Sequence, residues 1–222
     1  MTTTAEPAAH GPGRGRLEAA QVWTATLTGL AALGISLFNL AELQQAPKVS
    51  VALPHLVRIE PRAPQHTVHL FVQPTITTRF RAEDVEVITA VRLQLKAAAP
   101  KGGRPRFRWN ESGAWNYDFA SNRLKYDRTA DPSPLVVTQD KPQQPTLLFD
   151  SSDWTLRAGR YDGALVLERA SSRTPITRPF CLLITPEALR TFRAAPEREF
   201  YELRNDNDTP SPTAPRPSCY TF

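Results

Sequence analysis

An uncharged stretch of 23 residues, Ala19–Ala41, limits what this chain can fold into more than any other feature. Glu18 and Glu42 bracket it, and fifteen of its residues are apolar. At ~1.5 Å per residue a helix of this length spans about 34 Å, enough to cross the ~30 Å hydrocarbon layer of a bilayer. Trp23, near one end, suits the membrane interface. We therefore predict one transmembrane helix over residues 19–41, with a cleaved signal peptide and a buried soluble helix as the alternatives.

Charged residues beside this span predict its orientation. Arg14 and Arg16 precede it, whereas the first fifteen residues after it contain a single Lys or Arg, Lys48. The positive-inside rule then predicts a cytoplasmic N-terminus and an extracytoplasmic C-terminal domain in the cell membrane. Within the span, the small residues Ala25 and Gly29 are four apart, a spacing that leaves a weak helix–helix association open.

From residue 49 onward the hydrophobic period changes to two, which indicates β-strands. The odd-numbered residues from Val85 to Leu95 form one apolar or β-branched face, so Glu86 should lie on the opposite face. About seven to nine short strands, separated by Pro, Gly, Asn and Asp turns without βαβ alternation, indicate a mainly β fold, an antiparallel β-sandwich. The predicted organisation is a disordered tail (1–18), the transmembrane helix (19–41), a linker (42–48), the β-sandwich domain (49–185), a short helical segment (186–204) and a disordered C-terminal tail (205–222).

One local motif narrows the fold further. Leu156-Arg-Ala-Gly159-Arg-Tyr161 resembles the Leu-x-x-Gly-x-Tyr run of the tyrosine corner in immunoglobulin-like Greek-key β-sandwiches. The resemblance implies that the Tyr161 hydroxyl bonds the backbone a few residues upstream, and that two strands follow at 161–169 and 175–185. It implies a widespread fold without a function, and no specific family is recognised.

The most distinctive surface candidate is an aromatic and basic stretch from 107 to 119. It belongs to a domain, residues 49–185, that has 19 basic and 13 acidic side chains. Folded as a hairpin about residues 110–113, the stretch is expected to pack its rings into the core and leave a solvated polar face. The alternative is an exposed aromatic platform for a sugar ring or a partner, beside cations that attract anions. The candidate binding patch comprises Phe107, Arg108, Trp109, Trp115, Tyr117 and Phe119.

No residue pattern points to catalysis, a metal or a cofactor, so we expect no enzyme and no cofactor. His66 and His69 would point to opposite faces of a strand, and with His55 they are expected to be ordinary surface residues. Loop carboxylates are expected to serve turns rather than acid–base chemistry; they are Asp127, Asp131, Asp150 and Asp153.

The two cysteines allow more than one arrangement. Cys181 falls in a predicted strand and is expected to be a small buried hydrophobe, whereas Cys219 falls in the C-terminal tail. A disulfide between them is an open alternative.

These observations predict a single-pass, membrane-anchored β-sandwich protein that acts as a non-catalytic, extracytoplasmic binding or accessory module. A structural subunit of a membrane complex and a hydrolytic enzyme with its site in loops are the alternatives. The expected partners are the membrane, through residues 19–41, and a protein or an anionic surface polymer. Nucleic acid is not expected, because no recognised binding motif accompanies the basic charge.

Overall fold

The computed structural model describes residues 14–43, 48–62, 66–79, 85–99, 103–138, 141–152, 154–195, 199–206 and 219–222. The chain divides into two compact units, Met1–Gln45 and Ala46–Phe222. The mainly β fold is confirmed, with an apolar helix near the N-terminus and a short helix near the C-terminus. The elements are α1 (Arg14–Leu43), β1 (Lys48–Ala52), β2 (Leu56–Arg62), β3 (Thr67–Val72), β4 (Thr75–Arg79), β5 (Glu86–Ala97), β6 (Arg108–Asp118), β7 (Arg123–Ala130), β8 (Leu135–Val137), β9 (Thr146–Ser151), β10 (Gly159–Arg169), β11 (Ser172–Ile184), α2 (Pro186–Ala194), β12 (Tyr201–Arg204) and β13 (Tyr220–Thr221).

Helix α1 contains a segment, Gln21–Ala41, that is long and apolar enough to cross a membrane. Three threonines inside it donate their hydroxyl protons to carbonyl oxygens of the same helix, at 2.8–2.9 Å. Such internal hydrogen bonds lower the cost of polar side chains in hydrocarbon. The helix begins at Arg14, so the prediction of disorder up to residue 18 is wrong for residues 14–18, and residues 1–13 lie outside the described part.

Eleven strands of the second unit form one sheet in the order β7-β6-β9-β3-β2-β12-β13-β11-β10-β5-β8, and β1 pairs with β4 in a separate ribbon. The six strands from β7 to β12 are antiparallel to their neighbours, as are the four from β11 to β8. Strand β13 joins these two groups, since it is antiparallel to β12 and parallel to β11. One hydrophobic core takes side chains from both groups, for example Ile59 and Phe149 from the first and Leu93 and Leu165 from the second. The sheet is therefore mixed, and one of its faces encloses the core.

Strand β5 corrects the predicted alternation. Val91, Leu93 and Leu95 are buried as expected, but Ile88 and Glu86 are buried as well. The register with β10 slips at Thr89, which has no partner, and this extra residue moves the earlier part of the strand to the other face. Glu86 is only 1% exposed. Its carboxylate accepts hydrogen bonds from the Val87 N–H at 3.1 Å and from the N–H and hydroxyl of Ser171, which compensate for its burial.

The tyrosine-corner hydrogen bond is present. The Tyr161 hydroxyl donates to the carbonyl oxygen of Arg157 at 2.9 Å and accepts from the N–H of the same residue at 3.2 Å. Strands β10 and β11 follow it, close to the predicted bounds. A relationship to immunoglobulin-like sandwiches stays a prediction.

The end of the chain differs from its prediction. Residues 186–194 are helical, with Thr185 capping the first turn, but residues 201–204 form β12 instead of helix. Cys219 is bonded to Cys181, and Tyr220 in β13 is 2% exposed, its hydroxyl donating to the Pro54 carbonyl oxygen. The predicted C-terminal tail is thus wrong for residues 219–222, because a disulfide and a buried ring hold them to the sheet. Residues 207–218 lie outside the described part.

Candidate functional site

The predicted hairpin about residues 110–113 does not form. Residues 108–118 are one strand, β6, and the turn to β7 falls at 119–122. Strand β9 pairs with the start of β6, so that Trp109 faces Phe149 and Glu111 faces Leu148. Asn110 becomes a bulge between these two pairs instead of a turn residue. A neighbouring buried strand thus overrides the local turn signal, and the six patch residues separate.

Three of the six lie at the start of β6. Phe107 and Trp109 pack against the core, and the Phe107 ring meets the Trp154 ring at 5.7 Å. Arg108 points to the outer face of the sheet, where it forms a 3.4 Å ion pair with Asp150 and is 76% exposed. These two rings therefore form no exposed platform, and the expected packing against the core holds for Phe107 and Trp109.

Trp115 lies on the outer face, at the centre of an aromatic cluster. Its ring lies 5.1 Å from Phe71, 5.3 Å from Tyr126 and 4.7 Å from Phe200. Phe71 belongs to β3, which β9 separates from β6 in the sheet. The β6–β7 hairpin must therefore bend across the outer face. We call its residues 113–128 the hairpin arm.

Gly113 allows the bend. A Cβ atom at this position would lie 2.4 Å from Cζ of Tyr126 and 2.5 Å from the carbonyl oxygen of Asp127. Both distances are far below a normal contact, so only glycine admits the Tyr126 ring and the β7 backbone at this point.

Arg58, in β2, contacts the arm from the sheet side. Its guanidinium carbon lies 4.3 Å from the centre of the Trp115 ring and 5.5 Å from that of Phe200, and an Nη atom lies 3.1 Å from a Glu202 oxygen. Burial lowers the pKa of Arg58, and the Glu202 carboxylate offsets part of that shift. The group stays charged at neutral pH, which makes it a cation–π contact between sheet and arm.

A cleft of about 460 Å³ opens between the arm and the outer face. Its walls carry four carboxylates, two cations and one imidazole, with aromatic edges at its base. The lining residues are Glu60, Arg62, His69, Phe71, Asn110, Glu111, Trp115, Lys125, Tyr126, Asp127, Leu148, Glu199 and Phe200. Although the domain as a whole is basic, this cleft is richer in acid than in base.

A polar triad crosses two neighbouring strands on one wall. One Glu60 oxygen accepts from Arg62 at 2.7 Å, and the other lies 2.8 Å from Nδ1 of His69. Burial alone would raise the pKa of Glu60, but the hydrogen bonds and charges of His69 and Arg62 outweigh it and lower the pKa. Glu60 is therefore ionised at neutral pH and fixes the orientation of the imidazole.

The opposite wall contains Tyr126 and two more carboxylates. Burial, together with the charge of Glu111, raises the pKa of Tyr126, so its phenol stays protonated. Glu111 also faces Arg128 at 3.6 Å, and Asp127 accepts from the Asn116 amide at 2.7 Å. Internal partners thus hold the two carboxylates in place before any ligand arrives, whereas the buried Tyr126 hydroxyl has no hydrogen-bond partner among the described residues.

The remaining patch residues, Tyr117 and Phe119, lie at the tip of the arm, outside the cleft. Their rings contact each other at 5.0 Å. Of the histidines, His55 contacts Asn205 at 3.1 Å and His66 contacts Thr155 at 3.0 Å.

His69 is the histidine that sequence reasoning misplaced, because it is half-buried in the cleft rather than a surface residue. The expectation that the candidate carboxylates lie in loops is wrong for Asp127, which belongs to β7 and lines the cleft, and for Asp150, which belongs to β9 and pairs with Arg108; Asp131 pairs with Arg128. Asp153 lies outside the described residues. No group of three metal-ligating side chains occurs among the described residues.

Sequence reasoning also missed most of the cleft's lining. Arg58, Glu60 and Arg62 alternate along β2, while His69 and Phe71 alternate along β3, a signal that one face carries charge and an aromatic ring. That pattern fits any solvated sheet face, and only the bend of the arm turns it into a cleft.

No protein-family model matches the chain, and no curated protein matches its sequence. Among solved structures it is similar to a family 123 glycoside hydrolase from Clostridium perfringens, described in a study of glycolipid glycan hydrolysis. The identity is 12% and the TM-score 0.32, over 51% of this chain and 20% of that one. The chain thus spans about a fifth of that enzyme, and a likeness at this level supports no conclusion about fold or function.

Proposed function

We propose that the chain is a single-pass, membrane-anchored binding module that takes its ligand in the cleft beside the hairpin arm. The cleft carries this proposal, because several of its polar groups, Glu60, His69 and Asp127 among them, lie outside the core and are held in position by internal partners. Preorganised polar groups beside apolar surface are the usual composition of a binding site.

We further propose that the β domain faces the extracytoplasmic side. The Cys181–Cys219 disulfide supports this orientation, since disulfides persist in oxidising compartments and are rare in the cytosol. Reporter fusions after Lys48 and Phe222, together with alkylation of free thiols in intact cells, test it. The expected result is an exported C-terminus and no alkylated cysteine, whereas a cytoplasmic reporter signal would contradict it.

The ligand that best fits the cleft is a protein segment that carries basic side chains. Four carboxylates face two cations in the lining, so the local field favours a cation over the anionic polymer that the domain's net charge suggested. Glu199 is exposed, whereas the other three carboxylates already contact internal partners.

Photo-crosslinking in cells that make the protein tests the binding role. A benzoyl-phenylalanine at Asn110, inside the cleft, is expected to give a discrete covalent adduct, and the same group at Arg173, an exposed position on β11, is not. Glu199→Lys should abolish the adduct, while Glu187→Lys on α2 should leave it intact. Equal adducts from both labelled positions, or none, would contradict a binding cleft.

Deletion of residues 1–48 distinguishes a binding module from a structural subunit that binds its complex through the helix. If the β domain makes the contact, the crosslinked partner should be retained in mild detergent when residues 1–48 are removed. Loss of the partner with that deletion would favour the structural subunit.

A hydrolytic enzyme is the second candidate function. The observation that favours it is the oriented imidazole of His69, whose Nδ1 faces Glu60 in the same cleft as Glu111 and Asp127. His69→Gln and Glu111→Gln should each abolish any hydrolysis found in a screen of ester and glycoside substrates. A hydrolytic activity that both variants retain would argue against this site.

A further inference from the structure

The tip of the hairpin arm presents an unusual amount of apolar surface to solvent. Phe119 is 87% exposed and Tyr117 is 46% exposed. Among the described residues of the β domain, no other large hydrophobic side chain is more exposed than 53%. A ring this exposed contributes nothing to the core, and leaving it in water is unfavourable.

The polar groups around these rings are satisfied within the tip itself. The carboxylate of Asp118 accepts from the N–H groups of Ala120 and Ser121 at 3.0 and 3.4 Å, and from the Ser121 hydroxyl at 2.8 Å. Its other contact is Lys125, at 2.9 Å, and this hydrogen bond is the largest of the effects that hold the pKa of Asp118 well below its usual range.

Tyr117 is satisfied in the same way, because its hydroxyl donates to the side-chain oxygen of Asn122. Asn122 has a φ of 54°, which closes the turn. These side chains therefore need no hydrogen bond from bulk water, and the exposed faces of the two aromatic rings remain as the apolar surface of the tip.

We propose that the tip inserts into the interfacial layer of the membrane that α1 crosses. Phe119 would contact the part of the acyl chains next to the headgroups, and Tyr117 would lie at the level of the headgroups. Aromatic side chains favour this layer. Arg123, beside the turn, forms no ion pair with any described residue and can face lipid phosphate. The proposal rests on the membrane anchor proposed above and is independent of the cleft.

Nitroxide quenching in nanodiscs tests this insertion with the full-length chain. The described residues contain no free cysteine, so Ala120→Cys supplies a single thiol beside Phe119 for an NBD fluorophore. The nanodiscs contain phosphatidylcholine and phosphatidylglycerol at 3:1, with and without nitroxide-labelled lipid. NBD at position 120 should be quenched and blue-shifted, whereas NBD at Arg173→Cys, an exposed site on β11, should be neither.

The matched variant adds Phe119→Ser to the Ala120→Cys chain. Loss of one buried aromatic ring should lower the ratio of inserted to free tips by about tenfold or more, and with it the quenching. The exposure of Phe119 means that the fold should not change, which circular dichroism verifies. Equal quenching at positions 120 and 173, or quenching that survives Phe119→Ser, would overturn the proposal. A chain that fails to enter nanodiscs at all would instead overturn the anchor.

Discussion

Removal of the Cys181–Cys219 disulfide by the double substitution C181A/C219A frees the last strand of the sheet. That bond closes a loop of 38 residues and holds β13 beside β11. Without it, the contacts that retain β13 include its short pairings with β11 and β12, the packing of Tyr220 and Phe222, and the hydrogen bond from the Tyr220 hydroxyl to Pro54. The sheet then has a weak point at the joint between its two antiparallel groups of strands.

The size of the effect follows from the length of the closed loop. In the chain-entropy account, a cross-link across 38 residues lowers the entropy of the unfolded chain enough to stabilise the fold by about 4 kcal/mol at 25 °C. For a domain of 150–250 residues, each 1 kcal/mol shifts Tm by roughly 2–4 °C. The expected loss in Tm is therefore about 8–16 °C.

Thermal unfolding of the full-length chain in detergent, followed by circular dichroism, measures this loss. Wild-type protein reduced with a phosphine is the matched control, because it keeps both sulfur atoms and should show a similar fall in Tm. Amide exchange should accelerate at Arg204 and Leu182, which pair with β13, and much less within the β5–β10 pairing. A fall in Tm below about 3 °C in both forms would refute the entropic reasoning and show that Tyr220 and Phe222 hold the strand without covalent help.

Three other substitutions test separate parts of the fold. Tyr161→Phe removes both hydrogen bonds to the Arg157 backbone and should destabilise the domain by about 1–3 kcal/mol in urea unfolding. Gly113→Ala should destabilise the domain by about 1–3 kcal/mol in the same assay, because a Cβ atom collides with Tyr126. It should also change the fluorescence of Trp115 in the arm. Burial raises the pKa of Tyr220 to about 12, so its contribution to stability is complete below pH 10 and is lost as the pH rises toward 12. Tyr220→Phe should therefore weaken the fall in Tm between pH 10 and 12, and an unchanged fall would contradict this assignment.

The fold class follows from the sequence because period-two alternation and frequent turns are local signals. Strands β10 and β11 and the start of α2 at residue 186 lie close to where the residues predict them. Each of these features is determined by a few neighbouring residues, so no knowledge of the rest of the chain is needed.

The features that the sequence could not predict depend on distant residues. Glu86 is buried because Thr89 bulges and Ser171, 85 residues away, supplies the hydrogen bonds. In sequence, 38 positions separate Cys219 from Cys181, and Cys219 falls in a segment whose composition predicts a disordered tail, so their pairing has no local signal. In the same way, the residues around Asn110 predict a turn, but pairing of β6 with β9 makes Asn110 a bulge within the strand.

The candidate site depends on both local and distant residues, so the charge around the cleft differs from the net charge of the whole domain. Counting charges along residues 49–185 gives a basic domain, and a basic domain suggests an anionic partner. The folded chain pairs several of its arginines with acids on the sheet surface, as in Arg108 with Asp150 and Arg128 with Asp131. The bend at Gly113 then gathers carboxylates from β2, β6 and β7 around one cleft. Under the proposed binding role, a ligand responds to the field at the cleft rather than to the net charge of the domain, so charge reversal at Glu199 is expected to alter binding more than neutralisation of any paired arginine.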